Sequence, residues 1–110
     1  MLVIPKEHYR NLIDLPDEVC AHIALVLKRM SSAVREVMKA DAISHVTGDD
    51  LTGMGLNLVD HFKSHVIPRR NDDRVEINWN RDDDPRVEAR ARVAAAVRDA
   101  FSKHGWRTSA

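Results

Sequence analysis

Three side chains that could bind an anion or take part in catalysis stand at alternate positions near the middle of the chain: His61, Lys63 and His65. The run from Leu56 to Arg69 is predicted to be an extended strand, in which alternate side chains share a face. The three would then lie in a row, with neighbours roughly 6.5–7 Å apart along the strand. Lysine supplies a point charge, and protonated imidazoles supply hydrogen-bond donors. The row therefore indicates phosphate binding, histidine-based nucleophilic catalysis or a metal site.

The same alternation divides this strand into two faces. The set predicted to face the core holds most of the large apolar side chains: Leu56, Leu58, Phe62 and Val66, together with Asp60 and Ser64. The opposite set contains Asn57, Val59, His61, Lys63, His65 and Ile67. A metal site at His61 and His65, joined by His45, would lack a supporting Cys or a third ligand at short spacing, so no metal is predicted.

The rest of the chain predicts elements that could position this strand. Leu2–Ile4 forms a short apolar run closed by Pro5, which favours a strand. A long amphipathic helix is predicted from Pro16 to about Ala40, because apolar residues recur there at three- and four-residue steps. Residues 42–46 could form another strand, and alternation over residues 75–79 indicates a short edge strand.

A second helix is predicted to begin at Asp84-Pro85 and to stop at Gly105. Its apolar stripe, which is predicted to be core, consists of Val87, Ala91, Ala94, Val97 and Phe101. Strands with two helices and short loops favour antiparallel pairing, so the predicted class is α+β.

Length and composition restrict the function classes. The 110 residues suffice for one domain, and equal numbers of acidic and basic residues give a formal net charge of zero. A balanced charge argues against nonspecific binding to nucleic acid or to an anionic membrane. The single cysteine, Cys20, excludes an intrachain disulfide and fits a reducing compartment. The expected location is the cytoplasm, and no cofactor is predicted.

The order of several segments resembles the histidine-triad (HIT) family of nucleotide-binding proteins. That family carries His-apolar-His-apolar-His-apolar-apolar on a late strand, often followed by Pro-Arg; this sequence reads His61-Phe62-Lys63-Ser64-His65-Val66-Ile67-Pro68-Arg69. The early run from Leu2 to Tyr9 resembles the family's early strand and turn, and Leu15-Pro16-Asp17-Glu18 resembles the start of its central helix. Asn57 stands where the family usually has Gln.

The resemblance implies an antiparallel HIT-like sheet with one long central helix and a C-terminal helix. It implies one N-terminally shortened domain over residues 1–105, followed by a tail over residues 106–110. The expected ligand is a purine nucleoside phosphate, contacted by Asn57, His61 and His65, and the expected assembly is a homodimer. Catalytic positions carried over from the family are His61, His65 and, at the nucleophile position, Lys63.

Lys63 is the main departure from the family pattern, because the family has its nucleophilic histidine there. A lysine ammonium has no lone pair with which to attack phosphorus. Phosphohydrolase or nucleotidyl-transfer activity is therefore expected to be weak or absent, and whether the chain is an enzyme stays open. The alternative is a non-catalytic structural or interacting homodimer that has lost the active site.

Overall fold

The structure is a computed structural model that describes residues 1–49, 59–76 and 85–106. The chain divides into two compact units, Met1–Val75 and Glu76–Ala110. The first unit contains the sheet and the long helix, and the second contains the C-terminal helix. The single domain proposed for residues 1–105 stays a prediction.

The described part of the first unit forms a three-stranded antiparallel sheet with one long helix. Its elements are β1 (Leu2–Val3), a 3-10 turn (Leu12–Asp14), α1 (Asp17–Met38), β2 (Ala42–Thr47) and β3 (Ser64–Arg69). The strand order is β1-β3-β2, so β3 lies between the other two. The α+β class and the antiparallel sheet are confirmed.

Helix α1 begins and ends within two residues of the predicted bounds. Asp17 and Glu18 occupy its first turn, where carboxylates interact favourably with the positive end of the helix dipole. Lys39 ends the helix in the left-handed region at φ 48°, and its N–H donates to the carbonyls of Arg35 and Glu36. This termination turns the chain directly into β2.

Strand β3 is shorter than the predicted strand from Leu56 to Arg69. The prediction is wrong for residues 59–63, which form a bend, and residues 50–58 lie outside the described residues. The His61 N–H donates to the Val59 carbonyl within this bend, and the Phe62 N–H donates to the Tyr9 carbonyl. Because these backbone groups are already bonded outside the sheet, pairing with the neighbouring strands begins only at Ser64.

The core of the first unit lies between α1 and one face of the sheet. Val66 is 0% exposed and Phe62 2%, and both pack in one cluster with Ile23 and Val34 of α1. Val3 of β1 belongs to the same cluster. The central strand therefore supplies the most deeply buried apolar side chain described in this unit.

The second unit contains α2, from Val87 to Lys103, followed by Gly105 at φ 71°. The predicted helix and its stop are confirmed, but the prediction that its apolar stripe is core is wrong. Val87 is 66% exposed and Val97 50%. One amphipathic helix has no second apolar element within its own described unit, so nothing described in this unit buries the stripe.

The short edge strand predicted over residues 75–79 is absent from its described part. Val75 and Glu76 have no strand conformation, and residues 77–84 lie outside the described residues. In the described part of the chain, neither helix is long and apolar enough to cross a membrane.

The burial of Val66 generates a stability prediction. We expect Val66→Ala to lower the free energy of unfolding by about 2–3 kcal/mol, because it removes buried methyl groups and leaves a cavity. The matched control is Val37→Ala on α1, where the side chain is 79% exposed and the expected change is within about 0.5 kcal/mol. Urea unfolding monitored by circular dichroism measures the free energy of unfolding of both variants. Equal losses in the two variants would contradict the burial of Val66 in the core.

Candidate functional site

The candidate site lies on the face of β3 that points away from the core. Phe62, Ser64 and Val66 are buried, whereas the side chains between and beside them are half-buried: His61, Lys63, His65 and Ile67. The predicted division into two faces is therefore confirmed for residues 61–67. The alternation persists through the bend even though hydrogen bonding to the neighbouring strands does not.

His65 is the candidate residue that the sheet itself positions. It lies opposite Leu2 of β1 and opposite Val46 of β2. Directly opposite residues share a face, so its imidazole stands between two apolar side chains that are 51% and 42% exposed. Within the described residues its ring has no hydrogen-bond partner. The ring therefore has both nitrogens available to a ligand on this open face.

His61 is positioned by the segment after β1. Its Nε2 lies 3.1 Å from the Pro5 carbonyl oxygen, which can only accept, so Nε2 carries a hydrogen. Its ring also stacks on that of His8, with centroids 5.3 Å apart and planes 24° apart. Sequence reasoning missed His8. No local signal points to it, because residues 5–8 reach residue 61 only through the pairing of β1 with β3.

Lys63 donates to the bend that precedes β3. Its Nζ lies 2.8 Å from the Val59 carbonyl oxygen and 2.9 Å from the His61 carbonyl oxygen. An ammonium that donates to carbonyls holds its hydrogens and presents no lone pair. Lys63 thus contributes two hydrogen bonds to the bend.

Two further predicted contributors are not brought into this group. Asn57 lies outside the described residues. His45 points to the α1 side of the sheet, where its Nε2 lies 2.7 Å from the Ser31 hydroxyl. In the described part of the chain no three His, Cys, Asp or Glu side chains are grouped to hold a metal ion.

Arg69, at the end of β3, is held by a carboxylate. Its Nε and Nη2 donate to the two oxygens of Asp73 at 2.7 and 2.9 Å, and Nη1 donates to the Ser44 hydroxyl at 3.0 Å. The Arg69 guanidinium, followed by the Arg70 N–H, holds the pKa of the Asp73 carboxyl well below its usual range. These bonds give Arg69 a structural role at the end of the sheet.

Comparison with known protein families identifies one match over most of the chain. The family model described as the HIT domain matches residues 1–72. A HIT-like protein of Mycobacterium tuberculosis is 34% identical over 76 residues, which are 69% of this chain and 51% of the relative. The adenosine 5'-monophosphoramidase of Schizosaccharomyces pombe is 31% identical over 77 residues, covering 66% and 50%. The chain spans about half the length of these curated relatives.

Solved structures show the same fold. A Streptococcus mutans protein superposes with a TM-score of 0.78 at 24% identity, covering 91% of this chain and 62% of its own. A zinc-bound histidine triad family protein from Mycobacterium smegmatis has a TM-score of 0.59 at 35% identity, covering 93% and 70%.

The Arg69–Asp73 pair generates a prediction about acid stability. A carboxyl whose pKa is lowered by folding stabilises the fold above its ordinary pKa of 3.8, and that stabilisation is lost as the pH falls further. We therefore expect Asp73→Asn to lower the urea midpoint near about pH 7 and to flatten its decline below pH 3.8. Asp72→Asn is the matched control, because the exposed Asp72 makes none of these bonds. If the urea midpoints of the wild-type chain and of Asp73→Asn changed with pH in parallel, the stabilising role assigned to the Arg69–Asp73 pair would be contradicted.

Proposed function

The chain belongs to the HIT family, and from that premise we propose that it binds a purine nucleoside phosphate on the sheet face that carries His65. One observation carries the proposal: the His65 imidazole stands between Leu2 and Val46 on an open apolar face. An apolar surface suits a base or ribose, and an imidazole suits a phosphate oxygen. The Schizosaccharomyces pombe relative, whose name refers to adenosine 5'-monophosphate, supports the ligand class.

The neighbouring side chains give this face a cationic edge. His61 is held by the Pro5 carbonyl and by His8, so its ring needs little reordering to contact an anion. The Lys63 ammonium, although bonded to carbonyls, adds a positive charge beside it. Asn57 joins this proposed phosphate site from the sequence pattern alone.

We propose that catalysis is weak or absent. Nucleotidyl transfer through this position would need a ring nitrogen to form a bond to phosphorus while the leaving group departs. The Lys63 ammonium instead donates its hydrogens to the Val59 and His61 carbonyls. The same observation favours the second candidate function, a non-catalytic structural or interacting protein that retains the fold.

A binding titration tests the proposed ligand. We expect AMP to bind to the wild-type chain in isothermal titration calorimetry and His65→Ala to weaken binding about tenfold, since it removes a hydrogen bond to a charged group. The matched control is His104→Ala, because His104 stacks on Trp106 outside the first unit. An undetectable interaction at millimolar AMP would reject nucleotide binding and leave the second candidate.

A hydrolysis assay on Lys63 variants distinguishes the loss of the nucleophile alone from the loss of the whole site. Lys63→His should raise hydrolysis of an adenosine 5'-phosphoramidate above the wild-type rate if the remaining site is intact. Lys63→Ala removes the same ammonium without supplying an imidazole and should stay at the wild-type rate. Binding of AMP without any gain in Lys63→His would show that more than the nucleophile has been lost.

We also propose a homodimer, with the cytoplasm as its location. Among the described strands β2 lies at an edge of the sheet, and its six residues include neither Pro nor Lys, which commonly prevent edge pairing. Pairing of two copies along β2 would extend the sheet and cover the exposed Val46.

Light scattering tests this assembly. We expect a dimer mass at high micromolar concentration, and we expect Val46→Lys to shift the equilibrium toward monomer because pairing along β2 would bring an ammonium from each copy into the shared interface. Val37→Lys on α1 is the matched control, since it replaces another exposed valine by the same residue. A monomer mass for the wild-type chain would contradict the proposal.

A further inference from the structure

The open face of the sheet differs in charge between the two ends of β3. His61 and Lys63 lie in the bend before the strand, whereas Arg69 lies at its end and is paired with the Asp73 carboxylate. Because Asp73 neutralises Arg69, an anion gains more attraction at the end near His61. A nucleotide on this face would thus direct its phosphate toward His61 and its uncharged base toward Arg69.

Ser44 of β2 carries a hydroxyl at the neutral end. It stands opposite Ile67 of β3, so its side chain shares the open face with Ile67. The Ser44 oxygen accepts a hydrogen bond from Nη1 of Arg69 at 3.0 Å. A serine hydroxyl has one hydrogen to donate, and among the described residues that hydrogen has no acceptor. The Ser44 hydroxyl can therefore donate to a ligand on this face.

Arg69 fixes the place of this hydroxyl. Its guanidinium donates to both Asp73 oxygens, at 2.7 and 2.9 Å, and to the Val75 carbonyl oxygen at 2.8 Å. The planar group cannot turn without breaking several of these bonds, and it has no lone pair to accept the Ser44 hydrogen. A donor held in place before binding loses little entropy when a ligand arrives.

The spacing along the sheet matches the two ends of a nucleotide. Residues 65 and 67 are alternate strand residues, roughly 6.5–7 Å apart. A phosphate beside His65 and a base above Ile67 would then be separated by the ribose. Apolar contacts with Val46 and Ile67 discriminate weakly between bases of similar size, whereas a placed hydrogen-bond donor discriminates strongly.

We propose that Ser44 determines specificity by donating a hydrogen bond to a ring nitrogen of the purine base. This inference rests on the proposed binding of a purine nucleotide to the open face. Ring nitrogens of adenine accept hydrogen bonds, so the Ser44 hydroxyl and the base are complementary. A ligand that lacks the contacted nitrogen leaves the hydroxyl unpaired and binds more weakly.

Isothermal titration calorimetry on the full chain tests the proposal. The ligands are AMP and its 1-deaza, 3-deaza and 7-deaza analogues, each of which replaces one ring nitrogen by C–H. We expect the wild-type chain to bind one analogue about fivefold more weakly than AMP, which corresponds to one neutral hydrogen bond. Ser44→Ala should bind that analogue and AMP equally. Ser44→Thr keeps a hydroxyl and should restore the difference.

Ser32→Ala is the matched control, because it removes the hydroxyl of an exposed serine on α1 and should keep the wild-type preference. If Ser44→Ala also kept that preference, another group would contact the base and the proposal would be overturned. Equal binding of all four ligands by the wild-type chain would overturn it too, even if Ser44→Ala weakened them all, because Ser44 would then act only by supporting Arg69. Failure of AMP itself to bind would reject nucleotide binding together with this inference, whereas the other two results reject the inference alone.

Discussion

The packing of one face of β3 against α1 fixes the remaining geometry of the first unit. Val66 and Phe62 are almost completely buried there, and the intervening Ser64 accepts a 2.7 Å hydrogen bond from the Thr47 hydroxyl. Side chains alternate along a strand, so a slip of one residue would bury His65 and expose Val66. That slip would place an imidazole in an apolar core. It would also lose the packing of Val66 and the hydrogen bond between Thr47 and Ser64. The core therefore determines which side chains reach the open face.

The three triad positions are held by different structural means. His65 lies in regular sheet, where neighbours on both sides fix its direction. His61 and Lys63 lie in the preceding bend, where one donates to the Pro5 carbonyl and the other to the carbonyls of Val59 and His61. A bend held by side-chain bonds has lower local stability than a paired strand. The ligand binding proposed for this face would therefore rely most firmly on His65.

The structural features that were predicted correctly from the sequence depend on short-range patterns. The periodicity of α1, the position of β2 and the alternation around Val66 each follow from residues near one another in the chain. The bend before Ser64 could not be predicted in this way, because it depends on a hydrogen bond from Phe62 to the distant Tyr9. The stack of His61 on His8 depends on the same long-range pairing. For α2, periodicity identified the helix but could not tell whether a partner covers its stripe.

The segment around β1 helps to position both histidines of the candidate site. Leu2 flanks His65 on the open face, and the Pro5 carbonyl accepts a hydrogen bond from His61. A two-residue strand has few backbone bonds to hold it, so its order depends on its neighbours. Val3 is buried in the same cluster as Val66, so the core that fixes the direction of β3 also holds β1 beside it. The open face is therefore ordered from the opposite side of the sheet.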